Sequence, residues 1–510
     1  MHDGKLPATV SNSGRRHPAL NRNVDFFSII LFLGLYYVRP HEWIAGADQI
    51  PLNSLAIGLA IWSLFSRRRG LGWKEFFHTP HDTLMALFFF WILWTSYYDV
   101  SSTFIYIYPL FIFYWVTVLT LKDIPRLLQF LHWWTFFIVF VAALAVASEY
   151  GIDPTGSYDL THGVMKERLA LNLSIFKNPN ALGHSIVPAV AMLYFVGFWK
   201  RPIFSKVFAP VVMAIPIWCI FLTSSKGAFI SGFATIVSAF SFKRPIAIQI
   251  TIFVLAGTMG WAAMQALPRM SEISSSKTDE AIQGRVHAFK FGLEMMRTRT
   301  YGIGYARFAI EFERRYHYFK SAHSSYVYVG CEFGKIGLLL FLAIIYFAFR
   351  TLFSVKTTTD EEERVRRLLF VLLLSFVISS WMIGWYNRAT YWLIAAACAA
   401  FHRIMLEKEQ DQLAAETAAN PLPEVDTSPR PALAYGGPQT ATATINPAVT
   451  VNDINFGPSP TIAPHATGDE EAPPAKPARL WKRIRWYDLV AIYFIFLLTV
   501  EIWRYMIKHM

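Results

Sequence analysis

The feature that most constrains this chain is a succession of apolar runs, each close to the roughly 20 residues that a helix needs to cross a hydrocarbon core. About thirteen such runs are present, at 24–40, 51–66, 82–98, 103–121, 127–148, 181–199, 207–223, 227–242, 246–264, 325–349, 367–385, 389–405 and 486–507. Between them the chain has few charges. Only 16% of its 510 residues are charged and 54% are hydrophobic, where soluble domains carry about 25% charge. Aromatic residues reach 16%, which suits lipid-facing and interfacial surfaces. The expectation is an all-α polytopic membrane protein with about twelve transmembrane helices plus one extra carboxy-terminal helix. Cys219, Cys331 and Cys398 lie in or beside apolar runs without a CxxC spacing, so neither a disulfide framework nor a zinc site is expected. The polar start, Met1 to Arg22, lacks a cleavable signal pattern.

Basic loop residues orient the spans. With residues 1–23 placed as a cytoplasmic tail, the clusters Arg67–Arg69 with Lys74, Lys200 with Arg201 and Lys206, Lys243 with Arg244, Arg350 to Arg367, and Lys476 to Arg485 all fall on the cytoplasmic side. A missed helix would invert everything beyond it, so the agreement supports the count. This frame makes 24–405 one polytopic domain with two long outer loops at about 149–180 and 265–324, the larger between helices 9 and 10. Residues 406–480, rich in Ala, Pro and Thr, lack the apolar density for a core and read as a disordered cytoplasmic linker to the last helix, 486–507.

Against that frame, several cations lie on the wrong side. Arg39 ends the first span in YYVRPHEW. Lys166, Arg168 and Lys177 lie in the first outer loop, Lys226 in the short turn FLTSSKGAF, and Arg285 in the second loop, where Lys and Arg outnumber acids ten to six. Outer cations commonly snorkel to lipid headgroups. A cation confined to a turn between two apolar helices calls for a more specific partner, and a membrane-embedded anion such as a lipid pyrophosphate supplies one. The net charge of +12 is accounted for by cytoplasmic loops and such a ligand, with no nucleic acid implied.

Four stretches together resemble the O-antigen ligase and polymerase family of bacterial inner-membrane glycosyltransferases. They are Arg168 with Phe176-Lys177-Asn178-Pro179-Asn180; Ser224-Ser225-Lys226-Gly227-Ala228, with Lys where the family usually has Arg; Gly284-Arg285, a helical stretch to Met296, then Gly302-Ile303-Gly304 and Phe308; and Ala322-His323-Ser324, nine residues, then Gly334-Lys335-Ile336-Gly337. In the last, Leu338 replaces the final Gly of the longer form. YYVRPHEW also resembles the start of ligase-like proteins found beside exosortase systems. The resemblance covers about residues 24–405.

What it implies is transfer of a glycan from undecaprenyl pyrophosphate to an acceptor hydroxyl at the periplasmic face of the inner membrane. The acceptor would be a glycolipid, a protein or another glycan, and the product a lipopolysaccharide, an exopolysaccharide or an O-glycosylated protein. Fixed cations stabilise a leaving diphosphate, and Arg binds its oxygens bidentately. Arg168, Lys226 and Arg285 are the candidates for that role, with Arg39 fourth. His323 is the candidate general base, since nearby Arg would keep its imidazole neutral. A single displacement would invert the anomeric centre, and neither metal nor cofactor is called for. A lone His at a helix start is more often a cap or a structural partner. Asn178 and Ser324 are candidate substrate contacts, whereas Asn180 reads as the cap of the following helix. Gly302 and Gly304 read as a tight turn, Gly334 and Gly337 as close helix packing, and His41, His162, His184 and His287 as structural. A polymerase of the same lipid-linked glycans is the alternative, and a transporter or flippase a further one. A transporter should place its charges near the bilayer midplane, not at one face.

Overall fold

The computed structural model describes residues 24–67, 73–202, 207–242, 244–266, 280–419 and 484–509. The proposed tail 1–23 and most of the proposed linker lie outside them. The chain clusters into two units, Met1–Lys408 with Leu480–Met510, and Glu409–Arg479. Among the described residues the structure is helical, with no strand.

The principal helices are α1 (Val24–Val38), α2 (Leu52–Arg67), α3 (Pro80–Thr95), α4 (Val100–Thr120), α5 (Ile124–Glu149), α6 (Pro179–Ile186), α7 (Ala209–Leu222), α8 (Lys226–Ser241), α9 (Ile246–Ala266), α10 (Glu280–Thr298), α11 (Phe308–Tyr316), α12 (Ser325–Ser354), α13 (Asp360–Ser379), α14 (Ala389–Ala419) and α15 (Trp486–His509). A short helix, Ala189–Leu193, and a π turn, Tyr194–Phe198, extend α6. Apolar sequence forms helix here because a spanning backbone must satisfy its own hydrogen bonds. Polar residues mark the starts. Thr79 with Asp82 and Thr359 with Glu362 form capping boxes, and Asp99, Asp123, Ser225 and Ser324 cap α4, α5, α8 and α12. The acidic first turn of α13, Asp360 to Glu363, favours its helix dipole.

Six helical stretches are long and apolar enough to cross a membrane: Val100–Thr120, Ile124–Glu149, Pro179–Phe198, Ser325–Ser354, Ala389–Glu416 and Trp486–His509. Shorter apolar helices cover Leu52–Ser63, Ala209–Leu222, Lys226–Ser241 and Ile246–Leu255. The chain is a multi-pass membrane protein. The expected total of about twelve plus one is not reached by this measure among the described residues, because several expected spans are short or broken helices. The second expected outer loop contains α10, where a helical stretch to Met296 was expected, and also α11.

The bundle is built around α12 and α14. Of the apolar window of α14, 94% is buried, against 28% for α15. The run Ala395 to Ala400, with Cys398, is wholly buried; these small side chains let neighbouring helices approach closely. Helix α12 packs against α3, α10, α13 and α15. It is broken at Gly334, whose φ of 68° and ψ of −166° belong to no helix and are open to Gly alone.

Candidate functional site

The break in α12 receives the glycine loop. Carbonyls that the missing helical turn leaves open are taken by other donors. Ile303 N–H donates to Cys331 O at 3.1 Å and Gly304 N–H to Glu332 O at 2.9 Å. Trp91 Nε1 donates to Phe333 O at 2.9 Å. The two backbones touch so closely that a Cβ on Gly302 would lie 2.3 Å from Glu332 O, and one on Gly334 would lie 2.5 Å from Thr300 O. Glu332, buried in the break, accepts from Phe308 N–H at 3.2 Å and from the Tyr386 hydroxyl. Gly302, Gly304 and Gly334 thus do backbone work in a helix–loop joint. Gly337 gives room to Trp91, whose ring atoms would lie 3.3 Å from an added Cβ.

This joint sets the register of α10 against α12. The two run side by side in the same direction. Gly284 lies under Lys320, Gly292 against Val327, and Met296 against Gly330. Helix α11 returns along α10 through Phe308 and Phe312 on Phe291, with ring centroids 5.4 Å apart in both pairs. Arg285 therefore lies level with the start of α12, and its charge acts on both His323 and His184.

His323 immediately precedes the α12 cap, with a left-handed φ of 49°. The residues after it are bolted to the turn that follows α13. Ser324 Oγ donates to Ser380 O at 3.1 Å, Ser325 N–H donates to the same oxygen at 2.7 Å, and Ser325 Oγ donates to Ile383 O and accepts Trp385 N–H, each at 2.9 Å. The imidazole makes no hydrogen bond among the described residues. Burial, then the charges of Arg285 and Lys320, lower its pKa to about 4. It is neutral at physiological pH.

The Lys226 turn reaches the same place from the other side. Ser224 has a φ of 47°, and Ser225 caps α8 by accepting from Ala228 N–H. Arg168 is held on this turn: its Nε donates to Thr223 O at 3.2 Å, a guanidinium nitrogen donates to Asn180 Oδ1 at 2.9 Å, and Leu169 N–H donates to Leu222 O at 3.0 Å. A Cβ on Gly227 would lie 2.9 Å from His184 Nε2 and 3.1 Å from Met382 Cβ. Met382 lies in the turn that holds Ser324 and Ser325, so the Arg168 and Lys226 turn adjoins the His323 turn. Lys226 occupies the first position of α8, where a cation opposes the helix dipole, and its ammonium has no hydrogen bond or ion pair among the described residues.

Arg39 stands differently. It is paired with Glu42 at 2.6 Å, and the other Glu42 oxygen accepts Ser174 N–H at 2.6 Å. Burial alone would raise the Glu42 carboxyl, but the bonds from Arg39 and Ser174 outweigh it and hold it below the usual range. Arg39 is thereby tied by a carboxylate to the first long loop.

The cap expected at Asn180 falls at Asn178 instead. Asn178, expected as a substrate contact, is the cap of α6, its Oδ1 accepting Asn180 N–H at 2.9 Å. Asn180, expected as the cap, holds Arg168. Pro179 at the first helical position fixes this, since the residue before it takes the extended cap conformation. Ser324, expected as a substrate contact, is a wholly buried cap whose hydroxyl also donates to Ser380 O.

His184, expected as structural, pairs its Nδ1 with Ser379 Oγ at 2.9 Å beside Gly227. Sequence reasoning missed Arg388, which lines a cleft with Tyr36, Tyr37, Phe176, Ser185 and Trp385. A signal for Arg388 was present, because the expected orientation places 386–388 on the outer side with the other cations. Among the described residues, no group of three or more His, Cys, Asp or Glu stands close enough to hold a metal.

A family model described as O-antigen ligase matches residues 211–342, and this supports the O-antigen ligase family. The matched segment carries Lys226, Arg285, His323 and the Gly334 break. No curated protein matches the chain.

Proposed function

We propose that this protein, matched to the O-antigen ligase family across α7–α12, transfers a glycan from undecaprenyl pyrophosphate to an acceptor hydroxyl at the periplasmic face of a bacterial inner membrane. The observation that carries the reading is a neutral imidazole, His323, level with the Arg285 guanidinium and beside the turn that holds Arg168 and Lys226. In the proposed reaction His323 takes the acceptor proton. The freed oxygen attacks the anomeric carbon with inversion, and the bond from that carbon to the pyrophosphate oxygen breaks. Arg168, Lys226 and Arg285 stabilise the charge on the departing diphosphate, and neutralising it in a site screened from water is where such cations contribute most. Arg39, already paired with Glu42, fits better as an organiser of the first loop than as a diphosphate ligand. A ligase is the first reading and a polymerase of the same lipid-linked glycans the alternative.

Deletion of the gene, complemented by wild type, His323→Ala or Arg285→Ala, tests this through surface glycans and lipid-linked intermediates. Long lipid-linked chains should accumulate in the deletion and in both variants. Accumulated single repeat units would instead identify a polymerase. Full restoration of surface glycan by either variant would reject the site.

A further inference from the structure

Helix α15 lies outside the family match, yet it contacts both helices of the proposed site. Its two ends are fixed differently. At one end Asp488, wholly buried, pairs with Arg350 of α12 at 3.1 Å and accepts from the Tyr346 hydroxyl at 2.9 Å. At the other, Trp503 is wholly buried, and its Nε1 donates to Phe289 O of α10 at 3.0 Å. The indole fills a notch cut by two glycines. A Cβ on Gly292 of α10 would lie 3.0 Å from Trp503 Cζ2, and one on Gly330 of α12 would lie 3.1 Å from Cζ3. From Arg350 to Gly330 is about 30 Å of helix. The contact face of α15 (Asp488, Ile492, Phe496, Thr499, Val500 and Trp503) therefore follows α12 across a membrane's depth, while Phe494 and Leu498 on the far side are exposed.

We infer that α15 is a brace for the site, with Trp503 as a positioning residue that holds the Arg285 helix in register with the His323 helix. Its hydrogen bond falls one turn beyond Arg285, and its ring rests between the two helices two turns beyond His323. Deletion of the indole would leave a cavity where α10, α12 and α15 meet. Helix α10 would settle into it and carry Arg285 away from the imidazole. The inference rests on the roles proposed above for Arg285 and His323.

The test uses the full chain in lipid nanodiscs, with two readouts. The His323 titration is followed by NMR of labelled histidine, its signal assigned by loss in His323→Asn. Transfer kinetics are measured alongside. Trp503→Ala should raise the His323 midpoint by roughly half a unit or more as the Arg285 charge recedes. It should also lower kcat by roughly 100-fold with little change in KM. The exposed-face variant Phe494→Ala should move neither. An unmoved midpoint in folded Trp503→Ala would overturn the inference, as would equal shifts in Phe494→Ala. Should Trp503→Ala fail to fold, Trp503→Phe keeps a ring in the notch and loses the bond to Phe289; a smaller upward shift is then expected, and none would overturn the inference. If wild type transfers no glycan while Trp503→Ala still shifts the midpoint, the proposed function falls and the brace stands.

Discussion

The backbone break at Gly334 gives the sharpest test of the structure, because two opposed preferences meet at one atom. Alanine favours helix over glycine by about 1 kcal/mol, so Gly334→Ala pulls α12 toward a straight helix. If the break is kept, the new Cβ must tolerate a φ of 68° and a carbonyl, Thr300 O, at 2.5 Å. Such strain costs about 1–3 kcal/mol and overpacking a further 1–3 kcal/mol or so. If the break heals, the bonds from Ile303, Gly304 and Trp91 to the α12 carbonyls are lost, at about 0.5–1.5 kcal/mol each, less the gain in propensity. The chain takes the cheaper route, so a loss of roughly 1–4 kcal/mol is expected. Gly58→Ala is the contrast. Gly58 sits within α2, and an added Cβ meets nothing within 4 Å, so a gain of up to about 1 kcal/mol is expected. Unfolding in detergent followed by circular dichroism measures both. Trp91 emission separates the routes, since only healing frees its indole. Gly334→Ala as stable as wild type would refute the joint.

The different partners of Asn178 and Asn180 predict a divergence. Asn178→Ala should cost about 0.5–2 kcal/mol as a lost cap and leave transfer nearly intact, whereas Asn180→Ala should lower transfer roughly tenfold or more by loosening Arg168; equal effects on both measures would contradict the assignment. The depressed pKa of His323, about 4, fixes the sign of two pH effects. The unfolded chain protonates this imidazole first as pH falls, so stability is lost from about pH 6.5 down to about pH 4. The neutral base persists in the folded protein over the same window, so transfer should hold steady and fall with a midpoint near 4. Lys320→Gln should move that midpoint upward, and a wild-type midpoint near 6.5 in the rate profile would show that the imidazole is not so placed. Asp488→Asn leaves Arg350 without its carboxylate and should cost roughly 3–5 kcal/mol, while Arg350→Leu with Asp488→Leu should recover most of it; a double variant as unstable as the single would reject the pair, as read by thermal unfolding.

The sequence made the helical membrane class legible because apolar length is a property of each segment alone. Turns were legible where polar residues interrupt that length, as at Asp99, Asp123 and Thr359. The ends of α12, α13 and α14 ran past the apolar runs because Arg, Glu, Leu and Ala carry helix beyond the hydrocarbon, a feature hydropathy ignores. The candidate cations came from a rule of sides, and the candidate histidine from the resemblance of the stretch from Ala322 to Gly337 to a family motif. What sequence could not supply was partnership. Whether Asn178 or Asn180 caps, whether Arg39 is already paired, and whether Gly334 packs or breaks the helix all depend on residues distant in the chain, Arg168, Glu42 and Gly302 among them.

Of the non-glycine residues at positive φ, several stand at or beside the proposed site residues, while Lys200, Ala306 and His317 lie elsewhere. Arg39, Glu167 next to Arg168, Ser224 two residues before Lys226, and His323 all adopt left-handed φ values between 47° and 61°, and none is glycine. Each costs of order 1–3 kcal/mol and persists only where neighbours over-determine it. Those neighbours are identifiable. Arg39 is held through Glu42 to Ser174, Arg168 by Thr223 and Asn180, Ser224 by the cap at Ser225, and His323 by the serines clamped to Ser380 and Ile383. A glycine at any of these positions would satisfy the backbone more cheaply, but would let the loop relax when no ligand is present. A side chain at positive φ is confined to a narrow well, so the adjoining charge is held in place without a ligand. In the proposed site this would matter, because like charges brought to one anion repel one another until it enters, and stiff turns would offset that repulsion.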